Sequence, residues 1–523
     1  MEEMEGSGLE RYQMEGVEWM WRKTEERLGV ILGDDMGMGK TAQALWLIKR
    51  VWERVGKSVV VVAPNTVLEG WEKEAEKFRI GIECEVVRSG TEDAKRKITS
   101  AEGRKILVIG YEAMLKREKL MRRMYFDMMV IDEAQRVKNK DTRISRVCRE
   151  IDARTKVCIT GTPIQNNLME LWSIVDMVRP KYLGDYSTFK TEMEEPLRRS
   201  KMKRAEEAEI RKGDAITKHL KKTVEEILLR RTKEEVGLEI PEKEEFEIYC
   251  PLTENQQRTY QDALQDDMVR TTIQGKNNPL KTIMHLRRIC SHPMLNEKLE
   301  KSEERGRRGA GGKSEQSGRE RAGKRRLSRA GDLKDSGKVQ VLLRLMERWK
   351  EESRKVLVFS QYKEMLDILE EVLGKCVGKE QIRRIDGDTP IGKRIETISE
   401  FGKSDLAEVM LLTMRVGGVG VNIQKANTVV LFDMDWNPFN EEQAKGRAHR
   451  IGQRQKVETY RLLCKGTVED SMKITQEIKK DIAKGILKGA EAKKLFEKVD
   501  LCRLFHYFHD PEDVTDIDEI LKR

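Results

Sequence analysis

The segment 30–48 (VILGDDMGMGKTAQALWLI) constrains the fold of this chain most strongly. Its three leading apolar residues predict the end of a buried strand, and Gly37 and Gly39 predict a turn after it. From Lys40 and Thr41 onwards, apolar residues recur at helical spacing. The pattern therefore predicts a strand, a phosphate-binding loop and a helix, with a simple glycine-rich turn as the alternative.

A phosphate-binding loop uses its glycines to let backbone N–H groups surround a phosphate, and the positive end of the following helix dipole attracts the same anion. In this role Lys40 reaches the β- and γ-phosphates, and the Thr41 hydroxyl binds Mg²⁺. The strict pattern requires Gly at position 34, where this chain has Asp34. The residues predicted to bind the nucleotide here are Asp35, Gly37, Gly39, Lys40 and Thr41.

A pair of acidic residues, Asp132 and Glu133, ends the otherwise apolar run that begins at residue 128 (MMVIDE). Asp132 and Glu133 come at the end of this predicted strand, where two acidic side chains have no role in packing. One carboxylate can hold Mg²⁺ while its neighbour orients and deprotonates an attacking water, which is the chemistry of phosphoryl transfer. Together with the loop, the pair predicts a nucleoside triphosphatase.

Length and composition limit the class of protein. A chain of 523 residues is too long for one core, so two or three domains are expected. The net charge of +10 favours a polyanion partner such as nucleic acid, although a solvated surface is the alternative. The 8 Cys include no C-x-x-C pair, and no apolar run approaches the length of a membrane span. We therefore expect a reduced, intracellular protein without a structural metal, and neither a membrane nor secretion is implied.

Strand-like and helix-like runs alternate in two regions. The first region contains the phosphate loop, and its further predicted strands are residues 59–63, 85–87, 106–109, 128–132 and 157–160. The second has no phosphate loop, and its predicted strands are residues 356–360, 409–413 and 428–432. Such alternation predicts two doubly wound parallel sheets, with ligands at the carboxyl ends of the strands.

Three polar residues outside the loop are candidates for the same nucleotide. Gln13 lies on a predicted helix, and its amide can both donate and accept, as reading an adenine edge requires. An exposed surface position is the alternative for Gln13. Arg447 and Arg450 lie three apart on a predicted helix, hence on one face, from which they would reach across a cleft to the γ-phosphate. Their alternative is a pair of surface arginines.

Four motifs together resemble the Swi/Snf-type ATPases: Y-Q-x-E-G-V-x-W at 12–19, D-D-M-G-M-G-K-T at 34–41, D-E-A-Q at 132–135 and T-G-T-P-I-Q-N-N-L-x-E-L-W at 160–172. The run Q-x-x-x-R-x-x-R-x-G-Q at 443–453 resembles the sixth motif of that family. The resemblance implies an α/β fold of two RecA-like, doubly wound parallel-sheet lobes with helical insertions. It also implies a superfamily-two motor that uses ATP and Mg²⁺ to move along double-stranded DNA without separating its strands.

The same resemblance implies roles for individual residues, and acidic residues are common in that family at the position of Asp34. The implied catalytic residues are Lys40, Asp132, Glu133, Arg447 and Arg450, with Mg²⁺ held at Thr41 and Asp132. Gln13 and Gln443 are implied nucleotide contacts. The implied DNA-contact or coupling residues are Gly161, Thr162, Gln165, Thr413, Asn422 and Trp436. For Trp436, packing in the core is the alternative.

The predicted domain organisation has four parts. The first lobe covers residues 1–235, with a helical insertion at about 185–227. An inter-lobe region covers 236–337 and includes a disordered basic linker at about 298–337. The second lobe covers 338–470, and a helical tail covers 471–523.

Residues 336–349 and the tail resemble the subgroup of the Cockayne syndrome B protein, the transcription-coupled repair ATPase. This likeness implies a nuclear protein that acts in transcription-coupled repair or chromatin remodelling, with an RNA polymerase II elongation complex or nucleosomes as partners. The alternatives are a nucleosome-sliding remodeller, a catalytically inactive scaffold that binds DNA or polymerase, and a strand-separating helicase. The oligomeric state is open, with a monomer expected.

Overall fold

The computed structural model describes residues 6–161, 168–200, 206–237, 241–274, 276, 279–296, 332–414, 423–450, 452–474 and 476–477. The chain divides into two compact units, with the first boundary between Ile240 and Pro241. Most of the predicted linker at 298–337 and of the predicted tail at 471–523 lies outside the described residues. Among the helices that are described, none combines the length and the apolar character needed to cross a membrane.

The first unit is built on a parallel sheet. Its strands are β1 (Val30–Leu32), β2 (Val59–Ala63), β3 (Cys84–Val87), β4 (Ile106–Gly110), β6 (Met128–Asp132), β8 (Lys156–Ile159) and β9 (Leu228–Leu229), and a separate short pair is β5 (Tyr125–Phe126) with β7 (Asp152–Ala153). Within the described residues the strand order is β3-β4-β2-β6-β8-β1-β9. In this order β1 pairs with β8 on one side and with β9 on the other. The phosphate loop, which follows β1, therefore begins between two strands that come from distant parts of the chain.

Helices cover both faces of this sheet. They are α1 (Arg11–Glu25), α2 (Lys40–Arg54), α3 (Leu68–Lys77), α4 (Ala94–Ala101), α5 (Tyr111–Lys116), α6 (Glu118–Met121), α7 (Arg143–Glu150), α8 (Leu168–Val178), α9 (Tyr186–Phe189), α10 (Glu195–Ser200) and α11 (Glu207–Glu225). Successive residues of β2 point to opposite faces, so Val60 and Val62 enter one core while Val59 and Val61 enter the other. Burial on both faces explains why the strand reads as an unbroken apolar run.

The second unit contains another parallel sheet. Its strands are β10 (Lys243–Cys250), β11 (Lys355–Ser360), β12 (Ile382–Ile385), β13 (Glu408–Thr413), β14 (Thr428–Leu431) and β15 (Val457–Cys464). Their order, among the described residues, is β10-β15-β14-β11-β13-β12. Its helices are α12 (Glu254–Gln265), α13 (Asp267–Ile273), α14 (Pro279–Ser291), α15 (Gly337–Glu351), α16 (Lys363–Val377), α17 (Ile391–Glu400) and α18 (Pro438–Lys445). The predicted fold class, two α/β lobes with parallel sheets, is confirmed.

Residues 241–296, which the sequence prediction assigned to an inter-lobe region, are built into the second unit. Strand β10 pairs with β15 along its whole length, from Lys243 opposite Val457 to Cys250 opposite Cys464. Helices α12 to α14 pack with the end of β15 in one apolar cluster. Half of the residues of β10 are polar, which an edge strand tolerates because part of it faces solvent. The strand therefore has no continuous apolar run by which it could be predicted from the sequence.

Candidate nucleotide site

The phosphate loop lies between the carboxyl end of β1 and the first residue of α2, as the sequence predicts. Gly37 and Gly39 have φ values of +83° and +70°, in the left-handed region that glycine adopts at little cost. Gly39 is also needed for space, because a Cβ there would lie 2.2 Å from Nε2 of Gln13. The conformation of the loop therefore depends on these two glycines.

Lys40 and Thr41 open α2, where the positive end of the helix dipole favours an anion. The Lys40 ammonium donates hydrogen bonds to the backbone carbonyls of Asp34 at 2.7 Å and Asp35 at 2.9 Å. These bonds keep the lysine along the inside of the loop. Thr41 is half-buried at the next position of the helix. A cation and a hydroxyl thus lie together at a helix N-terminus, as a polyphosphate site requires.

Asp132 ends β6, and Glu133 follows it with a left-handed backbone at φ +50°. Both carboxylate oxygens of Asp132 accept hydrogen bonds: Trp71 Nε1 donates to Oδ2 at 3.0 Å, and the Glu133 backbone N–H donates to Oδ1 at 2.8 Å. The Tyr111 hydroxyl donates to the backbone carbonyl of Asp132 at 2.7 Å. Burial, together with the adjacent charge of Glu133, raises the pKa of Asp132 to about 7. The carboxylate is thus held in one orientation in an environment where a cation would stabilise its charge.

Hydrogen bonds connect Glu133 to the segment after β8. Gln135 Nε2 donates to Glu133 Oε2 at 2.5 Å, and Gln135 Oε1 accepts from the Thr160 hydroxyl at 3.0 Å. The next residue, Gly161, lies beside the loop, because a Cβ there would be 3.7 Å from Lys40 Nζ. The loop and the acidic pair are therefore neighbours in the first unit, and the positive charge of Lys40 acts on the Asp132 carboxylate.

Gln13 is only 5% exposed, so the alternative of an exposed surface position does not hold. Its Oε1 accepts from the backbone N–H of Glu10 at 3.0 Å, which caps α1. Its Nε2 donates to the Met38 carbonyl at 3.1 Å and to the Tyr12 hydroxyl at 3.2 Å. Gln13 is thus bound to the phosphate loop, and its contact with adenine stays a prediction.

The helix that was predicted to carry Arg447 and Arg450 ends before either residue. Helix α18 runs from Pro438 to Lys445, and the two arginines follow in turns and bends. The C-cap is Gly446, whose low helix propensity favours an end at this point. The prediction of one shared helix face is therefore wrong. Arg447 is 1% exposed within the second unit, whereas Arg450 is partly exposed.

The other predicted residues are dispersed. Gln443 is buried on α18, and Thr413 is half-buried at the end of β13. Trp436 packs against the apolar cluster that contains Met434 and Leu463, in line with the packing alternative. Thr162, Gln165 and Asn422 lie outside the described residues.

Three residues that the sequence analysis did not select also shape the site. Trp71 and Tyr111 hold Asp132, and Arg231 is bonded to Asp34 on the phosphate loop. Arg231 is 197 positions from Asp34 in sequence, and Trp71 is 61 positions from Asp132. In the sequence, Arg231 is distinguished only as the second of two consecutive arginines in the run LLRRT at 228–232, and this run does not indicate its partner.

Comparison with protein families gives a match over most of the chain. Residues 12–295 match the SNF2-related domain, and residues 337–452 match the helicase conserved C-terminal domain. The first match contains the phosphate loop and the acidic pair, and the second contains Arg447 and Arg450. Both predicted lobes are therefore represented.

Several curated proteins are similar to the chain. The DNA excision repair protein CSB of Oryza sativa subsp. japonica is 32% identical over 531 residues, which cover 94% of this chain and 42% of that protein. The DNA repair and recombination protein RAD26 of Saccharomyces cerevisiae is 30% identical, covering 95% and 48%. The ISWI chromatin-remodeling complex ATPase ISW2 of the same yeast is 31% identical, covering 89% and 39%. The chain thus spans less than half of each relative.

Among solved structures, the Sulfolobus solfataricus SWI2/SNF2 ATPase core in complex with dsDNA is 27% identical, with 96% of this chain and 98% of that chain covered and a TM-score of 0.42. This TM-score is low, so the family assignment rests on the sequence matches. Those matches confirm the predicted family and the predicted likeness to the transcription-coupled repair subgroup. The chain belongs to the SNF2-related family of superfamily-two DNA-dependent ATPases.

Proposed function

We propose that this chain hydrolyses ATP in order to translocate along double-stranded DNA. One observation carries the proposal: the acidic pair Asp132 and Glu133 lies beside the phosphate loop. Gln135 joins Glu133 to Thr160 by hydrogen bonds, and the next residue, Gly161, lies beside Lys40. An acidic pair held next to a polyphosphate site is the arrangement that phosphoryl transfer to water needs. Membership of the SNF2-related family supports the choice of ATP and of DNA.

The residues fit Mg²⁺ as the accompanying ion. A threonine hydroxyl and an aspartate carboxylate are hard oxygen donors, which Mg²⁺ prefers. The Asp132 carboxylate is half-buried beside Glu133, so a bound cation would offset both the burial and the neighbouring negative charge that raise its pKa. Thr41 and Asp132 would hold the ion, which neutralises charge on the phosphates when bound.

Each residue of the site has a distinct task in this proposal. Lys40 binds the β- and γ-phosphates, and Glu133 orients the attacking water and accepts its proton. Gln13 and Gln443 contact the nucleotide. Arg447 and Arg450 contact the γ-phosphate and stabilise its charge during hydrolysis. Gly161, Thr162, Gln165, Thr413 and Asn422 couple hydrolysis to DNA.

We propose duplex DNA as the track because phosphate contacts can follow a backbone without separating the strands. Proteins that bind single strands usually stack bases on aromatic side chains. Aromatic residues make up only 6% of this chain, and Trp436 packs against an apolar cluster. The net charge of +10 suits a phosphate partner.

Duplex DNA should therefore stimulate the ATPase more than single-stranded DNA of equal length. With ATP, the protein should displace a triplex-forming third strand from a duplex, yet leave a forked duplex paired. Both reactions are followed by gel shift of labelled strands, with a non-hydrolysable ATP analogue as the control. Separation of the fork would favour a helicase, and absence of any ATP hydrolysis would favour the inactive scaffold.

On the biological role, we propose action in the nucleus on a stalled RNA polymerase II elongation complex, in transcription-coupled repair. The repair proteins CSB and RAD26 among the relatives support this choice. The similarity to ISW2 supports nucleosome sliding as a second candidate. In both cases the substrate is a protein bound to duplex DNA, so one translocase activity serves either role.

The rate of ATP-dependent rescue of a stalled polymerase should exceed the rate of nucleosome sliding at the same enzyme concentration. The two assays use the same DNA length and ATP concentration, and Lys40→Ala protein is the negative control in both. Efficient sliding without polymerase binding would reject the repair role while leaving translocation intact.

A further inference from the structure

Asp34, which departs from the strict phosphate-loop pattern, is completely buried and accepts four hydrogen bonds. Three come from Arg231: its backbone N–H and Nε donate to Oδ1 at 3.1 and 3.0 Å, and Nη2 donates to Oδ2 at 2.6 Å. Gln43 Nε2 donates the fourth, at 3.1 Å. A buried carboxylate is stable only when it is hydrogen-bonded in this way. The position of Asp34 therefore depends on the position of Arg231.

Arg231 also binds the two helices on either side of the loop. Its Nη1 donates to the backbone carbonyl of Tyr12 on α1, and Nη2 donates to Oε1 of Gln43 on α2 at 3.0 Å. The close packing requires glycine on α1, because a Cβ on Gly16 would lie 2.1 Å from Gln43 Oε1 and 2.7 Å from Arg231 Nη2. One guanidinium thus connects α1, the phosphate loop and α2.

The loop is further tied to the backbone around Arg231. The Gly33 N–H donates to the Leu229 carbonyl at 2.8 Å, and the Asp35 N–H donates to the Arg231 carbonyl at 3.0 Å. These bonds continue the pairing of β1 with β9 past the end of the strands. Lys40 in turn donates to the carbonyls of Asp34 and Asp35. The position of the catalytic lysine is therefore linked to residues 229–231.

We propose that Arg231 is a positioning residue for ATP hydrolysis, which fixes the phosphate loop through Asp34 and aligns it with the helix that carries Gln13. This inference rests on the proposed ATPase activity and adds a residue to it. Asp34 is then a required partner of Arg231, and no glycine is needed at that position. Because a displacement of about 1 Å can cost on the order of 10²-fold in rate, the pair affects catalysis without touching the reacting atoms.

Arg231→Gln and Asp34→Asn should each lower kcat/KM for ATP on the order of 10²-fold. The double variant should lose little more than Arg231→Gln alone, because that substitution already removes the side-chain contact with Asp34. Arg231→Lys should fall between Arg231→Gln and the wild type, since lysine keeps the charge but lacks the planar fork. Steady-state ATPase assays and equilibrium binding of a fluorescent ATP analogue measure these effects.

Arg50→Gln is the matched control, because Arg50 also joins α1 to α2, through Glu18 at 2.7 Å. It lies ten residues beyond Lys40, roughly 15 Å along α2. This variant should lower the Tm as the Arg231 variants do, yet keep wild-type kcat/KM at temperatures where it is folded. Equal kcat/KM in Arg231→Gln and Arg50→Gln, or additive losses in the double variant, would overturn the positioning role. If the wild type itself neither binds nor hydrolyses ATP, the proposed function fails instead.

Discussion

Glu133→Gln should bind ATP as the wild type does and hydrolyse it on the order of 10²- to 10⁴-fold more slowly, the usual contribution of a general base. Glutamine has nearly the same size, and its carbonyl oxygen can still accept the hydrogen bond that Gln135 Nε2 donates to Glu133. The site therefore keeps its geometry and loses only the group that accepts a proton from water. Single-turnover hydrolysis and binding of a fluorescent ATP analogue separate the two steps.

Glu118→Gln is a suitable control, because Glu118 is an acidic residue of the same unit that pairs with Arg143 at 3.2 Å on the surface. It should hydrolyse ATP at the wild-type rate. Lys40→Ala should lose hydrolysis for a different reason, through loss of phosphate binding. Native turnover in Glu133→Gln would place the general base elsewhere.

The sheets could be predicted from the sequence because their central strands are buried on both faces. A run such as residues 59–63 is apolar at every position, and the same holds for residues 106–109. The phosphate loop was equally clear, because its glycines and Lys40 lie within a few residues of each other. Such patterns can be predicted because they involve consecutive residues. Edge strands such as β10 contain many polar residues, so they lack the apolar run that marks a central strand.

The contacts that orient the site could not be predicted, because they join distant segments. Nothing in the residues around Trp71, which lies on α3, indicates that its indole N–H donates to Asp132 at the end of β6. The same holds for Arg231 and Asp34: the departure at Asp34 was visible, but its partner was not. Which side chains meet depends on strand order, and strand order is set by the whole sheet.

Helix ends were the other source of error. The spacing of Arg447 and Arg450 fits a helix, but Gly446 precedes both residues and α18 stops at Lys445. A single glycine costs about 1 kcal/mol relative to alanine in a helix, which is enough to decide where a short helix ends. The two arginines consequently have different environments: Arg447 is buried, and Arg450 is partly exposed.

Arg450→Ala should lower kcat on the order of 10³-fold with a modest change in ATP affinity, as loss of an arginine that stabilises the transition state does. Arg450 is partly exposed, so its removal should leave the Tm of the second unit nearly unchanged. Arg447→Ala should lower kcat to a similar extent and also lower the Tm, because it removes a side chain that is 1% exposed. Stopped-flow ATP binding, steady-state turnover and thermal melting together separate these effects.

Arg454→Ala is the matched control for this experiment, since Arg454 lies four positions after Arg450 and is exposed. Loss of a surface charge alone should weaken binding to DNA only in a salt-dependent way and leave kcat at saturating DNA unchanged. If Arg450→Ala behaves like Arg454→Ala, Arg450 acts as a surface residue and not as an arginine finger. If Arg447→Ala lowers the Tm but keeps wild-type kcat in the folded protein, Arg447 has only a structural role. Wild-type turnover in both variants would mean that neither Arg447 nor Arg450 stabilises the transition state.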